Sequence, residues 1–296
     1  MWLVIGGDSE VGAAAYRAFK AQGRPVLGTT RRANCVAADR PLLDLAAPLK
    51  HWEPPPQTRA VCICAAVARL TACAADPAGS AYINVTQTLA LIERLIERGI
   101  YVLFLSSNQV FNGWVPNMPP EARYSPISEY GGQKVQTESV LRDQMARGAP
   151  IAILRLSKII PHDIPLIRGW IDSLTAGRSI TAFRDMMLAP APTDLVIAAI
   201  GALLDDRAPG IFQLTGPRDV SYVEVAQFLA SHLGAELGLV REISAVEAGM
   251  PKGATPRHTT LLSSLMRERY GLQVPDVWEV IGAVMAWMQA NRYSHA

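Results

Sequence analysis

The sequence predicts an α/β fold, a doubly wound parallel sheet of the Rossmann type with a smaller C-terminal substrate-binding part. Three observations support this prediction. Strand-like and helix-like stretches alternate through the first half, which is typical of βαβ units. A glycine-rich turn follows the first strand directly. Half of the 296 residues are hydrophobic, so the chain can bury a substantial core.

A glycine-rich turn joins the first predicted strand to the first predicted helix. Trp2 to Ile5 is a short apolar strand, and Gly6-Gly-Asp-Ser-Glu-Val-Gly12 follows it without a break. In this order, backbone N–H groups and a helix N-terminus face a pyrophosphate. The spacing fits G-x-x-G-x-x-G with Ser9 at the middle glycine, which predicts a dinucleotide site, with a plain turn as an equally good alternative. Ser9 would be strained if its position required a positive φ.

The second predicted strand, Pro25 to Thr29, ends in Thr30-Arg31-Arg32. In dinucleotide folds an acidic residue at this point holds the ribose hydroxyls, whereas arginine accommodates a 2′-phosphate. No carboxylate occupies this strand end, and two guanidinium groups follow it. The pair therefore favours NADP(H), with NAD(H) still open and a solvated basic loop as the alternative.

Two further strand ends are predicted to reach the cofactor. Leu43-Asp44-Leu45 is predicted as the end of a third strand, where Asp44 can accept a hydrogen bond from the adenine amino group. As an alternative, Asp44 is a turn or cap residue. Ala60 to Cys64 is predicted as a fourth strand, which breaks into Ala65-Ala66. Small residues there would let a cofactor approach the backbone.

A serine, a tyrosine and a lysine form the candidate catalytic set. The strand from Ile100 to Leu105 opens into Ser106-Ser107, and a turn-rich loop leads to Tyr130-Gly-Gly-Gln-Lys134. Tyr130 and Lys134 share one face of a helix. An ammonium about 5 Å from the phenol, at an effective dielectric of about 20, contributes about 3 kcal/mol, or about two pKa units. The set predicts transfer of a hydride and a proton to a carbonyl; a chance pair is the alternative.

Several ordered segments carry a resemblance to a known family. Ser106 to Gly113 resembles S-T-D-Y-V-F-D-G, and Pro120 to Lys134 resembles P-E-x(4)-P-x(3)-Y-G-x-x-K. Ile153 to Ser157 resembles an L-R-x-S strand, and Gly210 to Gly216 resembles G-I-Y-H-L-T-G. The chain thus resembles the extended short-chain dehydrogenases/reductases, and most closely their dTDP-4-dehydrorhamnose reductase branch.

The resemblance implies roles for individual residues. Ser107 would polarise the carbonyl and Tyr130 would donate the proton. Lys134 would hold the nicotinamide ribose and lower the tyrosine pKa. Asn84 would support the lysine through a water and the local backbone, or is only a polar residue on a partly buried helix. Gly6, Ser9 and Gly12 would border the pyrophosphate. The other residues expected to bind the cofactor are Glu10, Val11, Arg31, Arg32, Asp44, Leu45, Ala65 and Ala66.

The expected substrate pocket departs from the family pattern. Asn108 and Gln109 replace an aspartate and a tyrosine, and Lys158 stands where a tryptophan is usual. Arg155 completes the expected substrate-binding set. Related 4,6-dehydratases carry an Asp-Glu pair after the catalytic threonine. Amides cannot exchange protons as that pair does, which argues against a dehydratase.

The predicted function is therefore an NADPH-dependent reductase of a nucleotide-linked 4-keto sugar. Two alternatives remain open: an epimerase with tightly bound NAD, and a non-enzymatic regulatory subunit of the same fold. The dinucleotide-binding domain is expected to cover residues 1–160, with a returning segment near 185–216. Residues 161–296 are expected to form mainly the substrate-binding part.

Composition narrows the classes of partner. A net charge of +2 is too small to imply a nucleic-acid partner. Cys35, Cys62, Cys64 and Cys73 lack metal-ligand spacing and suit free thiols in a reducing cytosol, so no metal site is expected. No signal peptide or membrane-length apolar run is found, and a cytoplasmic protein is expected. The charged face around Glu93 to Arg98 predicts a solvated surface or a homodimer contact.

Overall fold

The computed structural model describes residues 1–251 and 253–291, and strands and helices alternate through this range. The strands are β1 (Trp2–Ile5), β2 (Val26–Gly28), β3 (Ala60–Ile63), β4 (Tyr101–Ser107), β5 (Ile151–Leu156), β6 (Ile159–Ile160), β7 (Ile180–Phe183), β8 (Met187–Leu188), β9 (Ala191–Pro192), β10 (Gly210–Leu214), β11 (Val220–Ser221) and β12 (Val240–Ile243). The helices are α1 (Glu10–Ala21), α2 (Leu70–Ala75), α3 (Pro77–Ala81), α4 (Thr88–Ile96), α5 (Glu129–Ala146), α6 (Pro165–Thr175), α7 (Thr193–Asp206), α8 (Tyr222–Leu233), α9 (Ser264–Tyr270) and α10 (Val277–Ala290).

Six strands form one parallel sheet in the order β10-β5-β4-β3-β1-β2. Trp2 pairs with Val26 on one side and with Ala60 on the other, so β1 lies between β2 and β3. The chain therefore changes direction across the sheet at β1. Parallel α/β sheets bind ligands at such a switch point, outside the carboxyl ends of the strands. The predicted fold class is confirmed.

Two helical layers cover the two faces of the sheet. Successive residues of a strand point to opposite faces, and each face packs on its own hydrophobic cluster. Val4 and Leu103 face α1 and α7, whereas Leu3 and Val102 face α4 and α5. Both clusters are almost fully shielded from solvent, which fits the continuous apolar character of strands covered on both faces.

The predicted third strand at Leu43 to Leu45 is wrong. Only a single parallel bridge between Thr30 and Leu42 forms there. The side-chain carboxylate of Asp44 accepts a hydrogen bond from the Ala46 N–H at 2.9 Å, which turns the backbone and ends the extended run. Leu43 and Leu45 are still buried, because they pack on the same cluster as Leu3. The alternative interpretation of Asp44 as a turn residue describes its observed contact.

The C-terminal segments build a second hydrophobic core. Helices α6, α8 and α10 contribute Trp170, Leu229 and Ile281 to it. Short strand pairs, β7 with β12 and β8 with β11, lie beside these helices. The domain boundary expected at residue 160 stays a prediction. None of the helices in the described ranges combines the length and apolar character that crossing a membrane requires.

Candidate active site

The turn after β1 is built for close packing of backbone. Gly6 has a φ of +85°, and a Cβ placed there would lie 2.6 Å from the Ala65 nitrogen. Only glycine avoids both the strain and the clash. The Gly6 N–H donates to the Thr29 hydroxyl at 2.9 Å, which ties the turn to the end of β2. The turn is therefore held against β2 and β3 at the carboxyl edge of the sheet.

Ser9 is the N-cap of α1 and is not strained. Its φ of −77° and ψ of 161° are ordinary extended values. The Ser9 hydroxyl accepts the Gly12 N–H at 3.1 Å and donates to the Gly6 carbonyl at 2.7 Å. The strain considered for a serine at the middle glycine does not arise, because the positive φ falls at Gly6. Ser9 instead stabilises the start of the helix.

The start of α1 suits a diphosphate. A Cβ on Gly12 would lie 2.2 Å from the Gly6 carbonyl oxygen, so the helix begins tightly against the turn. The N–H groups of Glu10 and Val11 lie in the first turn, where a helix offers them no acceptor of its own. Both residues line the large cavity described below. This end of the helix favours an anion, so the predicted cofactor fits the residues present.

A pocket of about 260 Å³ lies beside this turn. Ser9, Ala65 and Ala66 line both this pocket and the large cavity, so the two are neighbours across the turn. The predicted cofactor-binding residues found in its wall are Gly6, Ser9, Arg31, Asp44, Leu45, Ala65 and Ala66. Arg32 does not line it. The position of the pocket suits the adenosine half of a dinucleotide, as the strand ends predict.

The carboxylate of Asp8 occupies the end of β2, and the sequence analysis missed it. One carboxylate oxygen accepts the Thr30 hydroxyl at 2.8 Å and the Arg31 N–H at 3.1 Å. The other accepts Arg32 Nη2 at 3.0 Å and Arg40 Nη2 at 2.5 Å. Asp8 lies in the turn between β1 and α1, far in sequence from the end of β2, so the residues that follow β2 do not indicate an acid there. An acidic residue in the turn followed by a basic run is the signal that was available.

A second cavity of about 620 Å³ brings the three candidate catalytic residues together. Ser107 ends β4, whereas Tyr130 and Lys134 lie in the first two turns of α5. All three line this cavity. The Lys134 Nζ lies 5.7 Å from the centre of the Tyr130 ring and donates to the Leu105 carbonyl at 2.8 Å. The i, i+4 spacing therefore puts the amine beside the phenol ring.

Burial decides the acidity of both Tyr130 and Lys134. Burial raises the pKa of the Tyr130 phenol above its usual value, and the Cys73 thiol adds to this. Burial therefore sets the net direction of the phenol pKa here, and the lowering expected from Lys134 stays a prediction. Burial also lowers the pKa of the Lys134 ammonium to about 8, because the charged form loses hydration. The phenol stays protonated at neutral pH and can still serve as a proton donor.

Ser107 lines the same cavity. Its Oγ accepts the Gln109 N–H at 3.2 Å and caps the short 3₁₀ turn Asn108–Val110. Its proton is directed to the Asn108 side-chain oxygen at 3.2 Å. A hydroxyl can rotate away from such a long contact toward a ligand oxygen. Asn108 thus lies against Ser107 in the cavity wall, where the sequence analysis expected a substrate contact.

Gln109 connects the helix of Tyr130 to a distant segment. Its Nε2 donates to the Gly253 carbonyl at 3.1 Å, and its Oε1 accepts the Ser128 hydroxyl at 3.1 Å. Ser128 is in turn the N-cap of α5, since its Oγ accepts the Gly131 N–H at 3.0 Å. Gln109 lines the cavity, but both polar atoms of its amide are used inside the protein. Its expected role as a substrate ligand stays a prediction.

Arg155 does not lie in the cavity wall, which corrects its expected role in substrate binding. Its side chain and that of Glu138 are both fully buried, and Arg155 Nη2 lies 2.7 Å from Glu138 Oε2. A second guanidinium nitrogen donates to Gln213 at 3.1 Å and to the Pro120 carbonyl at 3.0 Å. These contacts use the guanidinium as an internal connector. The arginine lies on β5 with its side chain directed into the protein.

Asn84 makes direct contacts with the loop after β3. It lies in a π-helical stretch, Tyr82–Gln87, a form of helix often found near functional sites. Its amide accepts the Val67 N–H at 2.8 Å and donates to the Val67 carbonyl at 2.9 Å. The same amide donates to Gln133 of α5 at 2.7 Å. Asn84 therefore holds α5 and the β3 loop together; its expected water link to the lysine stays a prediction.

The far wall of the large cavity is mainly apolar. Lys158 lines it as predicted, directly after β5. The sequence analysis did not identify the apolar part, which comes from the C-terminal half of the chain. Its members are Ile159, Met186, Met187, Leu188, Tyr222, Met250 and Pro251. Leu188 and Tyr222 among them pack on the second core, and no local pattern in the sequence indicates that they face the cavity.

Comparisons with known proteins agree with this architecture. A family model described as "RmlD substrate binding domain" matches residues 1–289. A probable low-salt glycan biosynthesis reductase from Haloferax volcanii is 24% identical over 302 residues, covering 96% of this chain and 97% of that protein. A dTDP-4-keto-6-deoxy-D-glucose reductase from Streptomyces niveus is 24% identical over 271 residues, covering 90% of each.

A solved structure shows the same fold over nearly the whole chain. It is a dTDP-4-dehydrorhamnose reductase from Bacillus anthracis in complex with NADP. The TM-score is 0.77 at 16% sequence identity, with 98% of this chain and 97% of that chain covered.

Proposed function

The chain belongs to the family described as RmlD substrate binding domain, and on that premise we propose that it is a reductase of nucleotide-linked 4-keto sugars that uses NADPH. One observation carries the proposal: Ser107, Tyr130 and Lys134 line one cavity, and the N-terminal turn of α1 opens into the same cavity. Two relatives bear reductase names, and one of those names specifies a dTDP-linked 4-keto-6-deoxy sugar. The chain spans at least 90% of both.

Ser107, Tyr130 and Lys134 each have a separate role in the proposed reduction. A bound nicotinamide would supply the hydride for the keto carbon. The Ser107 hydroxyl donates a hydrogen bond to the substrate oxygen in place of its long contact to Asn108. Tyr130 gives its proton to that oxygen as negative charge develops, which is general acid catalysis. The Lys134 ammonium, beside the phenol ring, offsets the charge left on the phenolate.

NADPH is proposed as the donor because of the groups around the adenosine pocket. Arg31 lines this pocket, and its guanidinium makes no ion pair with any carboxylate in residues 1–251 and 253–291. A free guanidinium suits a phosphate. No acid lies at the end of β2 in sequence, although Asp8 reaches this place from the glycine-rich turn.

Epimerisation with tightly bound NAD is the second candidate function. Asp8 favours it, because a carboxylate near the ribose accepts a hydroxyl and repels a phosphate. The two candidates differ in what is purified. An epimerase would retain a nicotinamide cofactor and would cause no net oxidation of added NADPH. A reductase would consume NADPH in proportion to the sugar reduced.

We also propose a location and set of partners. A cytoplasmic location is proposed because the four cysteines are free thiols, which suits a reducing compartment. A small-molecule nucleotide sugar is the proposed partner, and the charge of +2 offers little attraction for nucleic acid. Homodimer formation through the charged face of α4 stays a prediction.

The Tyr130→Phe variant tests the proposed reaction. Loss of the phenolic hydroxyl removes the proton donor, so we expect turnover to fall at least about a hundredfold. NADPH oxidation with dTDP-4-keto-6-deoxyglucose, followed by absorbance, measures it. Tyr270→Phe is the matched control, because the Tyr270 hydroxyl bonds to Asp206 outside the cavity. Unchanged turnover in Tyr130→Phe would exclude the mechanism.

A further inference from the structure

We propose that Asp8 is a specificity-determining residue that restrains the preference for NADPH, because its carboxylate already engages two arginines near the site of the adenosine 2′-phosphate. The inference rests on the proposed cofactor site. It concerns one side chain of the glycine-rich turn, which lines the adenosine pocket together with Arg31.

The Asp8 carboxylate is saturated by four donors. Thr30 and the Arg31 N–H bond to one oxygen, at 2.8 Å and 3.1 Å. Arg32 and Arg40 bond to the other, at 3.0 Å and 2.5 Å. The Asp8 side chain is 14% exposed, so solvent screens these contacts only in part. Three of these four donors belong to Thr30, Arg31 and Arg32, shortly after β2. In dinucleotide folds this is the place where a ribose hydroxyl is distinguished from a phosphate.

The charge of Asp8 is permanent under ordinary conditions. Burial alone would raise the pKa of the carboxyl, but the hydrogen bonds from Arg32, Thr30 and the Arg31 N–H outweigh it and lower the pKa to about 2. Arg32 and Arg40 are therefore paired at any pH at which the enzyme would work. A bound 2′-phosphate would meet Arg31 unpaired and Arg32 shared with a carboxylate.

The Asp8 carboxylate would affect NADPH and NADH differently. Asp8 lines the adenosine pocket beside Arg31, so its negative charge would repel a dianionic phosphate placed there. The same carboxylate can accept a hydrogen bond from a free ribose hydroxyl that takes the place of one of its four present donors. Both effects lower the ratio of NADPH affinity to NADH affinity. Arg31 would raise this affinity ratio, because its guanidinium attracts a phosphate. The ratio therefore depends on the balance between Asp8 and Arg31.

Direct titration of NADPH and NADH into the Asp8→Asn variant tests the proposal without any sugar or turnover. Removing one unit of charge a few ångströms from a dianion is expected to raise the NADPH-to-NADH affinity ratio about five- to tenfold at low salt. Glu53→Gln is the matched control, because it removes the same charge from an exposed pair with Arg98. We expect the control to leave the ratio unchanged.

An Arg32→Ala variant keeps the proposal falsifiable if Asp8→Asn does not fold. Because Arg32 is paired in the wild type, its loss is expected to weaken NADPH binding less than about threefold. A tenfold loss, or an affinity ratio that stays constant or falls in Asp8→Asn, would overturn the role of Asp8. Failure of the wild type to bind either cofactor would instead overturn the cofactor site itself, and this inference with it.

Discussion

Tyr130 and Lys134 show how burial sets the properties of single residues. In the cavity wall the pKa of the phenol rises and that of the ammonium falls to about 8, chiefly because burial disfavours each charged form. The spacing of the two residues was sufficient to predict their pairing. It was not sufficient to predict the direction of the phenol pKa, because desolvation depends on what surrounds the ring in three dimensions.

The pH dependence of reduction should follow Lys134. Below a pH of about 8 the amine is cationic and stabilises the phenolate left by Tyr130; above it the amine loses its proton and this stabilisation ends. We therefore expect kcat/KM for reduction to decline as the pH rises through about 8. Kinetics across the range, with Lys134→Met as a variant lacking the ammonium, measure this. A wild-type profile that stays flat well above this pH would contradict it.

The buried pair of Arg155 and Glu138 gives a prediction about stability. Both side chains are fully buried, and the guanidinium also packs over the rings of Phe111 and Tyr124. Glu138→Gln leaves the arginine charge without its carboxylate, so we expect a loss of about 3–5 kcal/mol in the free energy of unfolding. Denaturant titration measures it.

A surface pair is the control for this stability experiment. Arg98→Gln removes a partner of the exposed Glu53 and should cost less than about 1 kcal/mol. Equal losses in Glu138→Gln and Arg98→Gln would contradict the structural role given to Arg155.

This role also explains why the family-like L-R-x-S segment led to a wrong prediction of substrate binding: the segment is a buried strand, and its arginine points inward.

At the scale of elements, strand-turn-helix units could be predicted and the contacts between them could not. The strand β1, the glycine-rich turn and α1 follow each other along the chain, so local pattern suffices for them. The contact of Asp8 with Arg40 joins residues 32 positions apart, and that of Gln109 with Gly253 joins residues 144 positions apart. The false strand at Leu43 has a local cause, since the side chain of Asp44 bonds to the backbone two residues on.

The bridge through Gln109 should affect substrate binding more than chemistry. It joins the N-cap of α5 to Gly253, beside the cavity-lining residues Met250, Pro251 and Ala254. Gln109→Leu removes both hydrogen bonds, so we expect the KM for the nucleotide sugar to rise about tenfold with a smaller change in kcat. Affinity for NADPH should not change.

A glutamine on the same helix serves as the control. Gln136→Leu changes an exposed position of α5 outside the cavity and should leave KM as in the wild type. If Gln109→Leu lowered kcat alone and left KM unchanged, a positioning role for the bridge would be excluded. Gln109 would then act on the reacting groups themselves.

At the scale of the whole molecule, the cavity is formed by two separate parts of the fold. The carboxyl ends of β3, β4 and β5 supply Ala65, Ser107 and Lys158. The segments around the second core supply the apolar wall that contains Met187 and Tyr222. Family membership extends over both parts, since the family model matches residues 1–289. The proposed keto sugar would lie between them, with its reacting carbon toward the sheet.

Isotope transfer tests the central claim most directly. NADPH in which both hydrogens on C4 of the nicotinamide are replaced by deuterium would be incubated with the enzyme and dTDP-4-keto-6-deoxyglucose. The product would then be analysed by mass spectrometry. We predict a reduced sugar nucleotide with one deuterium at the former keto carbon, formed by the wild type and lost in Tyr130→Phe. An unreduced sugar, or a product without deuterium, would contradict the claim that this cavity reduces a ketone.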